Sequence, residues 1–473
     1  FDYICKLIPL YKKNGLASVE VIKDLKEQVD GMTDEQKAAY ETALKAAHEG
    51  LQVALIEKGE MGGTCLNRGC IPTKSFCHMA ELLHAARQSN VLGLGITAPQ
   101  SITDLTPIVD YKEKIVSGLR EGVEALMKHP GITTYPRQAI AVSKGQVTLD
   151  DGQTLQAANI IIATGAHERL LPIPGVDLPG VVTSTEMLNL TTLPARLCVI
   201  GGGVVGMEFA SIFNTLGSEV TVVEYAPEIL PRFDQDMAKR LRTGLKRAGI
   251  NFNLGAAVCE IQRCEEENAL QVNFTQKGKA CQVTADLVLM SVGRAPNVES
   301  LQLNPEEVAF TPRGITVDEN MQTTTPGIYA IGDCNGLSGL AHVATFQGIV
   351  ALDHILGRPT SVDLNLVPSA VFTYPELATV GQTEQECKDA GLEYTVQKCY
   401  YRQNGKAVSM GEGDGYAKFL WSADDTLLGA HIMGAHASDL IHEATILMRT
   451  GAKRHLLKHT IHAHPTLSEI MLN

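Results

Sequence analysis

The sequence predicts an α/β fold built on parallel sheets, with a separate α+β domain at the C-terminus. Three observations carry this. Short apolar runs, each ending at a glycine or an acid, alternate with helical segments. Gly201, Gly203 and Gly206 spell G-x-G-x-x-G directly after one such run. Beyond about residue 363 the alternation gives way to strands that follow one another without intervening helices.

Taken in order, residues 33–48 read as a helix, with Thr33 and Gln36 spaced as a capping box. Residues 51–57 (LQVALIE) form an apolar strand that ends in Glu57. Residues 159–164 (NIIIAT) make a short buried strand running up to Gly165. Residues 197–200 lead into GGGVVG, and 220–224 (VTVVE) close that unit on Glu224. Residues 286–292 and 327–331 are further strands, each running up to a glycine. After residue 363, segments 372–381, 417–421 and 428–433 read as antiparallel strands, with a helix over 438–449.

Composition bounds the function. A chain of 473 residues suits about three domains at roughly 150 residues each. With 44% hydrophobic and 20% charged residues, disorder is excluded over most of the length. A net charge of −13 without a Lys/Arg cluster argues against nucleic acid as a partner. The longest apolar stretch, 197–213, is broken by four glycines and Glu208, so no membrane span is expected. The segment after Phe1 lacks a secretory signal pattern, which leaves a processed targeting peptide open. The eleven cysteines are scattered rather than dense, which suits a reducing compartment.

The glycine fingerprint has the context it needs: a strand before it, a helix after it, and Glu224 at the end of the next strand. The glycines let the backbone approach a pyrophosphate, which rests on the helix N-terminus. A carboxylate at Glu224 accepts from ribose hydroxyls and repels a 2′-phosphate. Tyr225, Ala226 and Pro227 offer no cation to hold one, so NAD is expected over NADP.

Cys65 and Cys70 frame the segment GGTCLNRGC. A zinc site lacks a second matching pair, and a static staple gains little from so short a loop. A five-residue offset on a regular helix would set the side chains about 140° apart, so bridging them needs a distorted turn, which Gly69 can supply. Pro72 suits the first position of a helix. Cys70 then lies at a helix N-terminus with Lys74 nearby, where a thiolate is stabilised. A redox pair fits these features better than a staple or a metal site. His455 and His459 could share a helix face as metal ligands, but no HExxH-type acid accompanies them, and no metal is expected.

GGTCLNRGCIPTK resembles the redox segment of the dihydrolipoamide dehydrogenases, within the flavin-dependent pyridine nucleotide–disulfide oxidoreductases. ATG at 163–165, SVGRAPN at 291–297, IYAIGDC at 328–334 and HAHPTLSE at 462–469 resemble further motifs of that family, in family order. The likeness runs from about residue 43 to the C-terminus. "LNRG" is similar to the lipoamide enzymes; glutathione and mercuric reductases more often carry "VNVG". A mercuric reductase would also end in a cysteine pair, whereas the last cysteine here is Cys399.

The resemblance implies two Rossmann-like dinucleotide-binding domains plus a C-terminal dimerisation domain. The expected segments are 1–165 (FAD), 166–292 (NAD), 293–362 (FAD/central) and 363–473 (interface). It implies a dihydrolipoyl thiolate attacking Cys65, with Cys70 facing the flavin. His464, oriented by Glu469, would take the thiol proton, and Lys74 and Glu208 would form a charge pair beside the flavin. FAD contacts are expected from Glu57, Gly63, Thr64, Lys74, Ala139, Thr164, Gly165, Arg294, Asp333 and Ala341. NAD contacts are expected from Gly201, Gly203, Gly206, Glu224, Val258 and Gly293. It further implies a homodimer whose dyad serves the partner's disulfide, and lipoyl-bearing proteins of 2-oxoacid dehydrogenase or glycine-cleavage complexes as partners. The implied location is a bacterial cytoplasm or a mitochondrial matrix.

Two departures stand against the family pattern. The first G-x-G-x-x-G, due before residue 43, is absent: residues 1–50 hold only Gly15, Gly31 and Gly50. Arg137 stands where a glycine is usual beside the adenosine of FAD. Either the N-terminal assignment is in error or the divergence is real and weakens FAD binding. Glu57, the ATG segment and Asp333 favour retained FAD. The other readings are a flavin-poor, silent homologue acting as an interaction subunit, and a related NAD(P)H-dependent disulfide reductase.

Overall fold

A computed structural model describes residues 38–472, apart from 92 and 265–267. It divides into two compact units. Among the described residues, the first comprises 38–67, 114–165 and 297–360; the second comprises 68–113, 166–296 and 361–472.

In the first unit, helix Ala38–His48 buries Tyr40, Ala43, Ala46 and Ala47, a helical spacing of small and aromatic residues. It lies against helix Ala341–Ile355 so closely that a Cβ on Gly348 would sit 1.9 Å from Thr42 Oγ1. The helix matches the later part of the expected one; Thr33 and Gln36 lie outside the described residues. Strand Val53–Ile56 pairs in parallel with Ile132–Tyr135, and Ile160–Ile162 with Ile328–Ala330. Val142, Val147, Leu149, Ile160, Ile162 and Ile328 share one core.

The second unit holds a five-stranded parallel sheet. Its spatial order is Asn251–Leu254, Glu219–Glu224, Arg196–Ile200, Leu287–Met290, Val181–Val182. The chain order reverses beside Arg196–Ile200, which is where open α/β sheets bind ligands. Helix Val204–Leu216 is buried along most of its length, and Phe76, Cys77 and Ala80 of helix Cys70–Val91 join its core. The C-terminal residues form a five-stranded antiparallel sheet, with helix Ala437–Thr450 packed on it. The strand expected over 372–381 is two strands, Ser369–Val371 and Leu377–Gly381. Tyr374–Pro375 stands between them, and a proline cannot donate to a ladder. No helix among the described residues is long and apolar enough to cross a bilayer.

Candidate functional site

The nucleotide cradle sits at the end of strand Arg196–Ile200. Gly201 has φ +109°, and a Cβ there would meet the Ser291 carbonyl oxygen at 2.4 Å. On Gly206 a Cβ would stand 2.0 Å from the Gly201 carbonyl oxygen, so only glycine lets helix Val204–Leu216 approach the turn. Gly203 is the N-cap and supplies no side-chain cap, and its Cβ position is open to 4 Å. The helix therefore presents free N–H groups to open space, a cradle that fits a pyrophosphate. Glu224 is turned into this loop, accepting from the Gly202 N–H and, at 2.5 Å, from the Ala226 N–H. A carboxylate held there suits a ribose diol and disfavours a phosphate. Gly293 has open space over its Cβ position and accepts from the Arg169 N–H at 3.0 Å. Val258 lies half-buried on the antiparallel strand Ala256–Cys264.

In the first unit, Glu57 ends strand Val53–Ile56. Its carboxylate accepts from the Tyr40 hydroxyl at 2.7 Å and the Gly59 N–H at 2.8 Å. Burial, with the Glu57 charge added, pushes the Tyr40 hydroxyl well above its ordinary range, so it stays a donor. The Glu57 carboxylate is thus held in place from two sides. Thr164 and Gly165 follow strand Ile160–Ile162; Thr164 Oγ1 donates to the Asn297 carbonyl at 2.6 Å and Asn297 Nδ2 returns a bond at 2.9 Å. Asp333 lies on the short turn Gly332–Asn335. Ala341 opens helix Ala341–Ile355, whose N-cap, Leu340, offers no side-chain cap. An uncapped helix end and a carboxylate at a strand end are the kinds of group that hold phosphate and ribose; residues before 38, where the first glycine turn is due, lie outside the described residues. Arg137 does not stand free: its Nε lies 3.3 Å from Asp151 Oδ2. Ala139 begins the hairpin strand Ala139–Ser143. Arg294, in the second unit, donates to the Ala166 carbonyl and faces Glu168 at 3.5 Å.

Cys65 and Cys70 lie on consecutive helices, Gly63–Arg68 and Cys70–Val91. The first is entered through Gly62 and Gly63, both at positive φ; a Cβ on Gly62 would strike Leu66 at 2.6 Å. This sets Thr64 and Cys65 in the first turn. Asn67 of the LNRG segment clamps that entry, its Nδ2 donating to the Met61 carbonyl at 2.9 Å and the Gly63 carbonyl at 3.1 Å. The helical path breaks at Gly69, whose carbonyl accepts the Thr73 N–H at 3.1 Å and the Thr73 hydroxyl at 2.6 Å. Cys70 is therefore the first residue of its helix. Pro72, expected at the first position, stands at the third, still within the turn where its missing N–H leaves no gap.

Lys74 Nζ lies 3.0 Å from both Glu208 oxygens. Glu208 is 3% exposed and also accepts from the Phe372 N–H at 3.0 Å. Burial pulls the Lys74 ammonium down, but Glu208 outweighs it, with Cys77 and Cys70 adding, so the net displacement is upward. The Phe372 ring centroid lies 4.4 Å from the same nitrogen.

His464 Nδ1 stands 2.9 Å from Glu469 Oε1, and Glu469 Oε2 accepts from the Thr466 N–H at 2.9 Å. The Thr466 N–H and then His464 hold the Glu469 carboxyl below its ordinary range. Glu469 thus claims Nδ1 and leaves Nε2 of a 78%-exposed ring to exchange a proton with a ligand. Sequence reasoning missed the neighbouring pair, His462 with Glu443 at 2.7 Å. Nothing in the spacing announced a contact between residues on different elements. Among the described residues no group of three or more His, Cys, Asp or Glu is placed to hold a metal ion.

Residues 37–348 match the family model described as pyridine nucleotide-disulphide oxidoreductase, and residues 367–473 match that family's dimerisation domain. The chain is 40% identical to the dihydrolipoyl dehydrogenase of Chlamydia muridarum, over 91% of this chain and 92% of that one. It is 36% identical to the mitochondrial dihydrolipoyl dehydrogenase of Pisum sativum, over 91% of this chain and 87% of that one. A solved HOCl-induced flavoprotein disulfide reductase from Escherichia coli superposes with a TM-score of 0.82 at 30% identity, covering 92% and 96% of the two chains.

Proposed function

The chain belongs to the pyridine nucleotide–disulphide oxidoreductases, and from that premise we propose that it oxidises protein-bound dihydrolipoyl groups with NAD⁺. The observation that supports the reading most is the 2.9 Å contact of His464 with Glu469, in a chain that also carries the Cys65–Cys70 segment. The relatives in Chlamydia muridarum and Pisum sativum, both named dihydrolipoyl dehydrogenases, support it.

In this reading His464 Nε2 takes the proton of one dihydrolipoyl thiol, while Glu469 holds Nδ1 and stabilises the imidazolium that forms. The substrate thiolate attacks Cys65 Sγ; the Cys65–Cys70 disulfide breaks and Cys70 leaves as a thiolate. His464 then passes its proton to the departing Cys65 sulfur and takes that of the second substrate thiol, which displaces Cys65 and closes the lipoyl disulfide, leaving a Cys65 thiol and a Cys70 thiolate two electrons richer. Lys74, kept charged by Glu208, stabilises the Cys70 thiolate. FAD, when bound, supplies the relay that passes those electrons on to NAD⁺. Glu57, Thr164, Asp333 and Ala341 would hold it, while Gly201, Gly203, Gly206 and Glu224 hold the nucleotide. The protein acts as a homodimer, each protomer's dyad serving the other's cysteine pair, and it meets lipoyl-bearing subunits in a bacterial cytoplasm or a mitochondrial matrix.

The test is to add dihydrolipoamide and NAD⁺ to the purified protein and follow NADH. Turnover with NAD⁺ strongly preferred over NADP⁺ is expected. A colourless protein that forms no NADH would point instead to the silent, flavin-poor homologue. Reduction of other disulfides with NADPH preferred would point to a different reductase.

A further inference from the structure

His462 stands two residues before His464, and both its ring nitrogens are engaged. Nδ1 lies 3.0 Å from the Thr460 carbonyl oxygen and Nε2 lies 2.7 Å from Glu443 Oε1. A carbonyl and an ionised carboxylate only accept. A neutral imidazole carries one N–H and could satisfy only one of them. The side chain is 7% exposed, so water cannot readily replace either partner. Glu443 belongs to helix Ala437–Thr450, whereas His462 belongs to the segment that runs from helix Arg454–Lys458 to the turn Ser468–Leu472. This pair is therefore a tether between that helix and the segment carrying His464. Farther along, Asn404 Nδ2 donates to the Thr466 carbonyl at 3.0 Å, fixing the far side.

We infer that His462 is held as an imidazolium, and that its ion pair with Glu443 positions the segment bearing His464. It is a positioning residue that touches no substrate. The reading rests on His464 being the proton acceptor of the proposed reaction. The charged groups acting on His462 are Glu443 from helix Ala437–Thr450 and Glu469 from the C-terminal turn. Burial pulls the ring's proton affinity down, but the Thr460 carbonyl and Glu443 outweigh it, so the net displacement is upward. The sign follows: for a raised histidine the tether is complete below the ordinary value of about 6.5 and is lost as pH rises through the folded value.

The test uses the full-length protein with ¹⁵N-labelled histidine. Long-range ¹H–¹⁵N spectra at about pH 7.5, where an ordinary histidine is mostly neutral, report each ring's protonation; His462 is assigned by its loss in H462Q. Both nitrogens protonated in the wild type, with titration returning to about the ordinary range in E443Q, is expected. A neutral His462 in the wild type, or an unchanged titration in E443Q, overturns the inference. In the forward assay E443Q and H462Q should lose about tenfold or more in kcat with KM for NAD⁺ unchanged, and E443D should recover part of it. Unchanged kcat, or a variant that no longer runs like the wild type on gel filtration, overturns the positioning role. A wild type inert to dihydrolipoamide sinks the proposed reaction but leaves the spectra to decide the protonation state.

Discussion

Lys74 and Glu208 are 134 positions apart in the chain, yet they share two hydrogen bonds, with Glu208 buried and Lys74 half-buried. The pair was expected from the family resemblance alone, because Lys74 lies in the cysteine segment and Glu208 just past the glycine fingerprint. Its energetics follow from burial. K74M would leave the buried Glu208 carboxyl without its ammonium partner, keeping the Phe372 N–H as a donor. We expect a loss of about 3–5 kcal/mol, read as a shift in the urea midpoint; a variant as stable as wild type would show that water reaches the carboxylate. At His464, H464Q should lower kcat by about 10²–10⁴ while leaving KM for NAD⁺ unchanged, the range for losing a proton acceptor. A full-rate H464Q would move the proton acceptor elsewhere. What could not be read were contacts with no motif to announce them: Tyr40 on Glu57, Asn67 on its own loop, Glu443 on His462. Each depends on a side-chain direction that only the folded backbone sets.

Among elements, the strands that end at functional glycines were legible because they are short continuous apolar runs, buried on both sides. The antiparallel strands Ala256–Cys264, Ala269–Gln276 and Lys279–Ala285 were not read: the first and last mix polar and apolar residues without a clean period, whereas residues 270–275 do alternate, a strand signal that was present and passed over. The fingerprint element makes a sharp prediction. G206A places a methyl carbon 2.0 Å from the Gly201 carbonyl, so the helix must shift; NADH formation should fall at least tenfold, with KM for NAD⁺ raised, and an unaffected KM would refute the cradle. A second element-scale feature is buried Lys418, which meets Asp234, the N-cap of helix Gln235–Arg247, at 3.0 Å and Glu384 at 2.6 Å. The Lys388 and Lys418 ammonium groups lower the Glu384 carboxyl to about 2. A depressed acid contributes its stability above its ordinary value, near 4.5, and loses it as pH falls toward about 2. Thermal midpoints should therefore drop over that window, and E384Q should flatten the drop; an identical pH profile in E384Q would exclude this carboxylate as the cause.

For the molecule as a whole, the α/β class and the separate C-terminal sheet were legible from the change in pattern past residue 363. The grouping of residues 68–113 with the second unit was not, because long-range packing of helix Cys70–Val91 against helix Val204–Leu216 decides it. The family's dimerisation domain, matched over residues 367–473, sets up the next expectation. If each dyad serves the other protomer's cysteines, mixing C65S and H464Q protomers rebuilds one intact site in each mixed dimer. Random pairing then restores about a quarter of wild-type activity from two inactive parents; no recovery, in a mixture shown to exchange protomers, would place both groups in one chain. The proposal as a whole turns on Cys65 and Cys70 opening and closing together. The experiment is alkylation of the native protein, read by mass spectrometry, before and after anaerobic addition of dihydrolipoamide. Both cysteines should be protected at first and both labelled after reduction, with Cys65 labelled first. Equal labelling of the two residues before and after dihydrolipoamide would contradict a working disulfide.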